Sequence, residues 1–265
     1  MKSPVSAALH RLRPLVPPSG WSIMRMAKSF SAGGPLLVCP SHRRALVLAP
    51  HPDDEVLGCG GTVILLHDSG AQLRTLIATD GDALKCGPFT AAEVGRRRRE
   101  EARRAAVHLG TPLPMAFGFP DAGLTGMLDV VAERISEQVA EFQPQMIFAP
   151  WPLDDHPDHQ ALSVALAQAR VPPSTEVWAY EVWTAVPANR LVDITEVFGR
   201  KEAALAEHRT PAQVFDTSAH LALQRWRSIH GLAGRGYVEA FLALTFPLFS
   251  SLASGVELGP GAGSR

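Results

Sequence analysis

Ala45-Leu46-Val47-Leu48-Ala49-Pro50-His51-Pro52-Asp53-Asp54-Glu55 is the stretch on which the fold turns. Five apolar residues in an unbroken run, with no alternating polar positions, are what a strand covered on both faces presents, and such strands belong to parallel sheets. Pro50 closes the run. The turn that follows carries His51, Asp53, Asp54 and Glu55, stiffened on either side of the histidine by Pro50 and Pro52.

Outward from this stretch, strand and helix signals alternate. A glycine-rich turn is expected next, then a helix over 59–67 that Ser69-Gly70 stops, and a second strand over 73–78 running into Thr79-Asp80-Gly81-Asp82. Residues 93–109 read as a helix with Ala102, Ala105, Ala106 and Leu109 on one side and Gly110 as its stop. A weak strand over 115–117, a helix over 128–142, a fourth strand over 146–149 closed by Pro150, a helix over 158–169 and a strand over 177–182 follow. After Asp193 the pattern is helical, over 197–207 and 219–230. This alternation predicts an α/β fold, a Rossmann-like, mostly parallel sheet with helices on both faces and binding residues at the carboxyl ends of the strands. Residues 1–42 read as a poorly specified N-terminal extension, 43–250 as one domain, and 251–265 as a flexible glycine-rich tail.

Composition narrows the function classes. Lysine and arginine number 25 against 26 acidic residues, a net charge of −1, so no global field recommends nucleic acid or anionic lipid. The run Arg96 to Arg99 leads straight into Glu100 and Glu101, which reads as a solvated helix face before it reads as a phosphate site. Three cysteines, Cys39, Cys59 and Cys86, make no C-x-x-C pair, which argues against a disulfide framework or a thiolate zinc site and for a reducing, cytoplasmic compartment. No segment is apolar for the roughly 18 residues of a membrane span, and prolines interrupt the N-terminal run that might imitate a signal peptide. A small-molecule or glycoconjugate partner fits better than a nucleic acid, and a homo-oligomer is compatible with the composition.

A second cluster, Asp154-Asp155-His156-Pro157-Asp158-His159, stands after the fourth strand, about a hundred residues beyond the first. In a parallel sheet two such turns can converge. A histidine and a carboxylate from one turn with a histidine from the other make the three-ligand set of hydrolytic zinc sites, with one position left for water. Calcium or magnesium would want mostly oxygens, so the donors favour Zn2+ or another divalent transition ion. Carboxylates at helix starts are often simple caps, and either cluster alone would be read that way. Residue types alone leave open which of Asp53 and Asp54 is ligand and which is base.

The two motifs, His51-Pro52-Asp53-Asp54-Glu55 and His156-Pro157-Asp158-His159, with the 58–61 segment, resemble the PIG-L/LmbE-like zinc-dependent N-deacetylases. The likeness extends through Ala78-Thr79-Asp80-Gly81, the 98–110 helix, Phe119-Pro120-Asp121-Ala122-Gly123-Leu124 and Tyr180-Glu181-Val182-Trp183, covering residues 43–245. It implies that His51, Asp54 and His159 bind zinc, that Asp53 is the base activating the attacking water, that a cationic His156 stabilises the oxyanion, and that Asp158 orients His156 and keeps it protonated. It also implies that Arg98, or its neighbour Arg97 or Arg99, and Asp121 line a sugar pocket. Glu181, late in its strand, is a candidate for substrate hydroxyls. The reaction implied is removal of the acetyl group from an N-acetylated amino sugar, of N-acetylglucosaminyl type. A metal-dependent esterase or phosphoesterase using the same loops, and a non-catalytic sugar-binding relative, are the alternatives. Asp80 and Asp82 divide evenly between a simple turn and the site edge; Trp151 and Trp183 read first as rim packing and second as sugar-stacking groups; His67 and His108 read as surface or structural; and nothing in spacing selects among His208, His220 and His230.

Overall fold

The computed structural model describes residues 36–258. Eight strands, β1 (Leu36–Leu37), β2 (Arg44–Ala49), β3 (Gln72–Thr79), β4 (Met115–Phe119), β5 (Met146–Pro150), β6 (Glu176–Tyr180), β7 (Arg190–Asp193) and β8 (Val238–Thr245), form one sheet in the order β1-β7-β8-β6-β5-β2-β3-β4. The helices are α1 (Asp54–Asp68), α2 (Ala91–Leu109), α3 (Leu128–Phe142), α4 (Pro157–Gln168), α5 (Phe198–Ala206), α6 (Ser218–Arg227), the short α7 (Ile229–Leu232) and α8 (Phe246–Ala253). They cover both faces of the sheet. Every strand pairing is parallel except those of β8, which runs antiparallel between β6 and β7.

The strand order explains the position of the site. From β2 the chain steps outward to β3 and β4, then returns to the other side of β2 to lay down β5 and β6. Strand β2 therefore pairs with β3 on one edge and β5 on the other, and the crevice at such a reversal, outside the carboxyl ends, is where ligands bind in open α/β sheets. Both His-Asp turns open there, one after β2 and one after β5.

Strand β2 is buried from Ala45 to Ala49, as its unbroken apolar run requires. Helix α2 is set by its sequence: Thr90 and Glu93 form a capping box at its start, and Gly110 closes it with a left-handed φ of 77°. Helix α1, in contrast, begins at Asp54, five residues before its expected start at Cys59, so Gly58 lies inside a helix where a turn was expected, while Gly60 and Gly61 are helical as expected. Close approach accounts for two of them. A Cβ on Gly58 would run into the Tyr180 ring, and one on Gly61 would sit 2.7 Å from the Ile194 side chain.

Strands β7 and β8 and helix α8 lie beyond the elements the sequence pattern indicates. Inside β8 the buried Glu239 accepts from the α1 amides of Gly61 and Thr62 at 2.8 and 2.7 Å and pairs with the equally buried Lys201 at 2.6 Å. This ion pair sits within the backbone ladder of α1 and ties the helix to the antiparallel strand. Helix α8 carries regular structure to Ala253, past the expected start of the tail, and β1 places residues 36–37 in the sheet against β7. The remainder of the expected extension, residues 1–35, and residues 259–265 lie outside the described residues.

Candidate active site

The turn after β2 is held by its own atoms. Asp53 caps α1 with φ 133°, a region that side chains rarely adopt and that costs on the order of 1–3 kcal/mol unless the surroundings enforce it. They do: the Asp53 amide donates to Glu55 Oε2 at 3.1 Å, its carbonyl accepts from Val56 and Leu57, and Asp53 Oδ1 accepts from Arg98 Nη2 at 3.0 Å. Asp54 turns the other way, with Oδ2 accepting from the His51 amide at 2.9 Å.

Around Asp54 the two turns meet. His51 Nδ1 lies 3.1 Å from Asp54 Oδ2, and His159 Nε2 lies 3.2 Å from the same oxygen. The rings of His51, His156 and His159 cluster with centroids 4.7–5.5 Å apart. A cavity of about 370 Å3 opens over this cluster, lined among others by His51, Asp53, Asp54, Asp121 and His156.

The donors suit a divalent transition ion. His159 is fully buried, yet neither of its ring nitrogens has a hydrogen-bond partner, an expensive arrangement that a coordinated cation resolves. His51, His156 and His159 each offer a nitrogen, all within 4.8 Å of one another, and His51, Asp121 and Asp158 form a second such group. Burial disfavours a charged His51, but its bonds to Asp121, Asp158 and Asp54 outweigh that and hold its pKa well above the usual value, so the pocket favours positive charge. Burial pushes Asp54 up, and the two imidazoles, His159 foremost, bring it well below the ordinary carboxylate range.

His51 has a carboxylate hydrogen-bonded to its far nitrogen, the arrangement that orients metal-binding imidazoles, and His159 has one close by. Behind His51 stands Asp121, whose Oδ1 lies 3.1 Å from Nε2 while Oδ2 accepts from the Ala83 amide. Behind His159 stands Asp154, fully buried, with Oδ1 at 3.6 Å from Nδ1. Asp154 also accepts from the amides of His156, Trp183 and Thr184, tying the second turn to the loop after β6. Sequence reasoning assigned it no role; its place beside His156 in the second cluster was the available signal.

Asp53 and Asp54 are buried together, and their pKa values separate. Burial lifts Asp53 to about 7, against the opposing pull of Arg98 and with the added push of Asp54. A carboxylate tuned there is suited to accept and return a proton near neutral pH.

Several expected residues stand elsewhere than the sequence placed them. Of the three arginines, Arg98 is the buried one and lines the cavity as expected; its guanidinium donates to Gly81 O, Pro52 O and Asp53 Oδ1, so it braces the Asp53 carboxylate from within the wall. Arg97 stacks on Phe89 and Arg99 pairs with Asp80. The Asp158 carboxylate does not hold the His156 ring. It accepts from the amides of Ala122 and Leu124 at 2.8 and 3.2 Å and lies 3.4 Å from His51 Nε2; only its own backbone amide reaches His156, donating to Nδ1 at 3.2 Å. With Nδ1 accepting from that amide, Nε2 is the nitrogen left to donate, and burial, with His51 and His159 nearby, pushes the His156 pKa down to about 4, the direction opposite to the expected cation. Both oxygens of Glu181 are engaged by Arg227 at 3.1 and 2.6 Å, and Oε2 also accepts from the Val186 amide, because the arginine of α6 needs a buried counter-charge; this carboxylate is scaffolding rather than a group for substrate hydroxyls. Of the histidines that spacing could not separate, His220 packs against Trp183, a residue of the cavity wall.

Residues 46–170 match the model of the family described as PIG-L, GlcNAc-PI de-N-acetylase. A probable N-acetyl-alpha-D-glucosaminyl L-malate deacetylase 2 of Bacillus cereus is 32% identical over 198 residues, 68% of this chain and 89% of that protein. The chain belongs to the PIG-L family. Membership makes it an enzyme, a metal-dependent amidohydrolase. The diacetylchitobiose deacetylase of Thermococcus kodakarensis is 34% identical over 44% of this chain and 45% of its own length. Among solved structures, a conserved protein of Thermus thermophilus superposes with a TM-score of 0.62 at 28% identity, covering 75% of this chain and 93% of the other. The N,N'-diacetylchitobiose deacetylase of Pyrococcus horikoshii, at 21% identity, shares the fold with a TM-score of 0.67 over 94% of this chain and 96% of its own. Among the described residues no helix is long and apolar enough to cross a membrane.

Proposed function

We propose that the protein is a zinc-dependent N-deacetylase that removes the acetyl group from an N-acetylated amino sugar or a sugar-bearing conjugate of N-acetylglucosaminyl type. The observation that carries this reading is the meeting of His51 Nδ1 and His159 Nε2 on one oxygen of Asp54, with the Asp53 carboxyl beside them at a pKa of about 7. An amide is a poor electrophile with a poor leaving group, so its hydrolysis needs an activated nucleophile, a stabilised carbonyl oxygen and a proton for the departing nitrogen. Zinc, when bound by His51, Asp54 and His159, supplies Lewis acidity toward the carbonyl and lowers the pKa of water to about 7.

The chain's own groups do the rest. Asp53 takes a proton from the attacking water and delivers it to the amine as the C–N bond breaks. Arg98, fixed by two backbone carbonyls, keeps Asp53 oriented. His156, neutral with its proton on Nε2, donates to the carbonyl oxygen as that oxygen gains charge, a contribution typically worth about a hundredfold or more in rate. Asp121 and Asp154 orient the two histidine ligands from behind. The N-acetylglucosaminyl substrates named for the relatives support the substrate class.

A phosphoesterase would need a free cation for its phosphate, and the Arg98 guanidinium is already committed to Asp53 and two carbonyls. A relative named 4-oxalmesaconate hydratase, 26% identical over 69% of this chain, makes water addition to a small acid the reaction to test against. Purified protein, supplied with zinc, is expected to release acetate from N-acetylglucosamine derivatives and to stop when a chelator removes the metal. Hydration of an unsaturated acid without any acetate release would sink the proposal.

A further inference from the structure

Resting on the deacetylase reading, we propose that the substrate carries an uncharged, aromatic group on the sugar, and that Trp183 and Phe215 receive it. Trp183 is 47% exposed, an unusual state for an indole that borders a cavity and is mounted so firmly. Its amide donates to Asp154 Oδ2 at 3.1 Å, which fixes the backbone to the carboxylate behind the metal ligand His159. Its ring meets Phe215 at 5.4 Å and 65° and His220 at 6.0 Å and 79°, two edge contacts that hold the indole in place. Trp183 and Phe215 both line the cavity that opens over Asp53, and Leu57, Leu84 and Pro157 continue the apolar lining. The half-exposed indole is a flat stacking surface for a planar group, with the Phe215 ring set edgewise beside it.

Charge decides against an anionic conjugate. Among the described residues lining the cavity, Arg98 is the one lysine or arginine, and both of its terminal nitrogens already donate to Gly81 O, Pro52 O and Asp53 Oδ1. Three carboxylates, Asp53, Asp54 and Asp121, share that lining. Away from the metal and His51, which the acetamide and the attacking water engage, a carboxylate or phosphate on the sugar would be desolvated with no free lysine or arginine in the lining to meet it. Lys85, which follows the lining residue Leu84, is exposed and is not part of the wall.

The test compares the phenyl glycoside of N-acetylglucosamine with its methyl glycoside and with the glycoside of a hydroxy acid. Acetate release is followed for each, and binding of the corresponding deacetylated glycosides is measured by calorimetry. The phenyl compound is expected to exceed the methyl one by about fivefold in kcat/KM and in affinity, as one aromatic contact allows, and the hydroxy-acid conjugate to fall below both. Trp183→Ala brings the phenyl-to-methyl ratio toward one, and Trp183→Phe, which keeps a ring, retains part of it. A hydroxy-acid conjugate turned over as well as the phenyl glycoside, or a ratio that Trp183→Ala leaves unchanged, overturns the proposal. If the phenyl preference appears in calorimetry while no glycoside releases acetate, the deacetylase reading falls and the aromatic site stands. Acetate release without a phenyl preference removes the aromatic site and leaves the deacetylase standing.

Discussion

The two His-Asp turns use the same residue types in opposite ways. After β2 Asp54 meets the imidazole cluster and Asp53 lines the cavity beside it, and the turn is braced by local bonds, a strained Asp53 and one arginine reaching in from α2. After β5 the histidines join the cluster while the carboxylates bridge it to the scaffold: Asp154 lies 3.6 Å from His159 Nδ1 and holds the loop after β6, and Asp158 lies 3.4 Å from His51 Nε2 and holds the amides of Ala122 and Leu124. The acids of the first turn are held by an arginine and by bonds within the turn, and those of the second by backbone amides of neighbouring loops. An acid in a catalytic motif is therefore assigned by where its oxygens point, and letter patterns alone treat Asp53 and Asp158 as equals.

Substitutions in the two turns should separate accordingly. Asp53→Asn is expected to keep the metal and the fold while kcat falls by about 10² to 10⁴, the range of a lost general base. Metal content by elemental analysis alongside acetate release checks it, and equal loss of metal and turnover would erase the distinction drawn between Asp53 and Asp54. Arg98→Met leaves the buried Asp53 carboxyl without its cation and two carbonyls without a donor. A stability loss of about 3–5 kcal/mol, read from denaturant unfolding, is expected from breaking such a pair.

The second turn should respond more mildly. Asp154→Asn weakens the orientation of His159 and is expected to loosen metal binding by about 10- to 100-fold with the fold retained, measured by competition with a chelator. Asp158→Asn keeps one acceptor oxygen and loses the other, so a stability cost of about 1 kcal/mol is expected, with turnover per metal-loaded molecule close to the parent. A collapse of turnover as deep as that of Asp53→Asn would return Asp158 to the chemistry.

Legibility in the sequence followed the range of the interactions involved. Strand β2 and helices α2 and α3 were readable because a continuous apolar run, a capping residue and a helical stripe are local signals. Strand β8 was not, since an apolar stretch such as Ala240-Phe241-Leu242-Ala243-Leu244 has no period that separates strand from helix, and its Glu239 argues against burial until Lys201 is seen beside it. Gly58 looked like part of a turn because its partner, Tyr180, is more than a hundred residues away.

By itself the sequence determined the alternating α/β pattern, the two turns of imidazoles and carboxylates, and, through family resemblance, the expected division of labour between Asp53 and Asp54. Tertiary structure alone decided that His51 is backed by Asp121, that Asp154 lies beside His159, that Arg98 belongs to Asp53, that Glu181 belongs to Arg227, and that burial pushes the His156 pKa down. The physical reason is that a residue's type sets what it can donate, accept or ligate, whereas its pKa and its partner depend on burial and on groups brought near it by a sheet whose strand order reverses at β2.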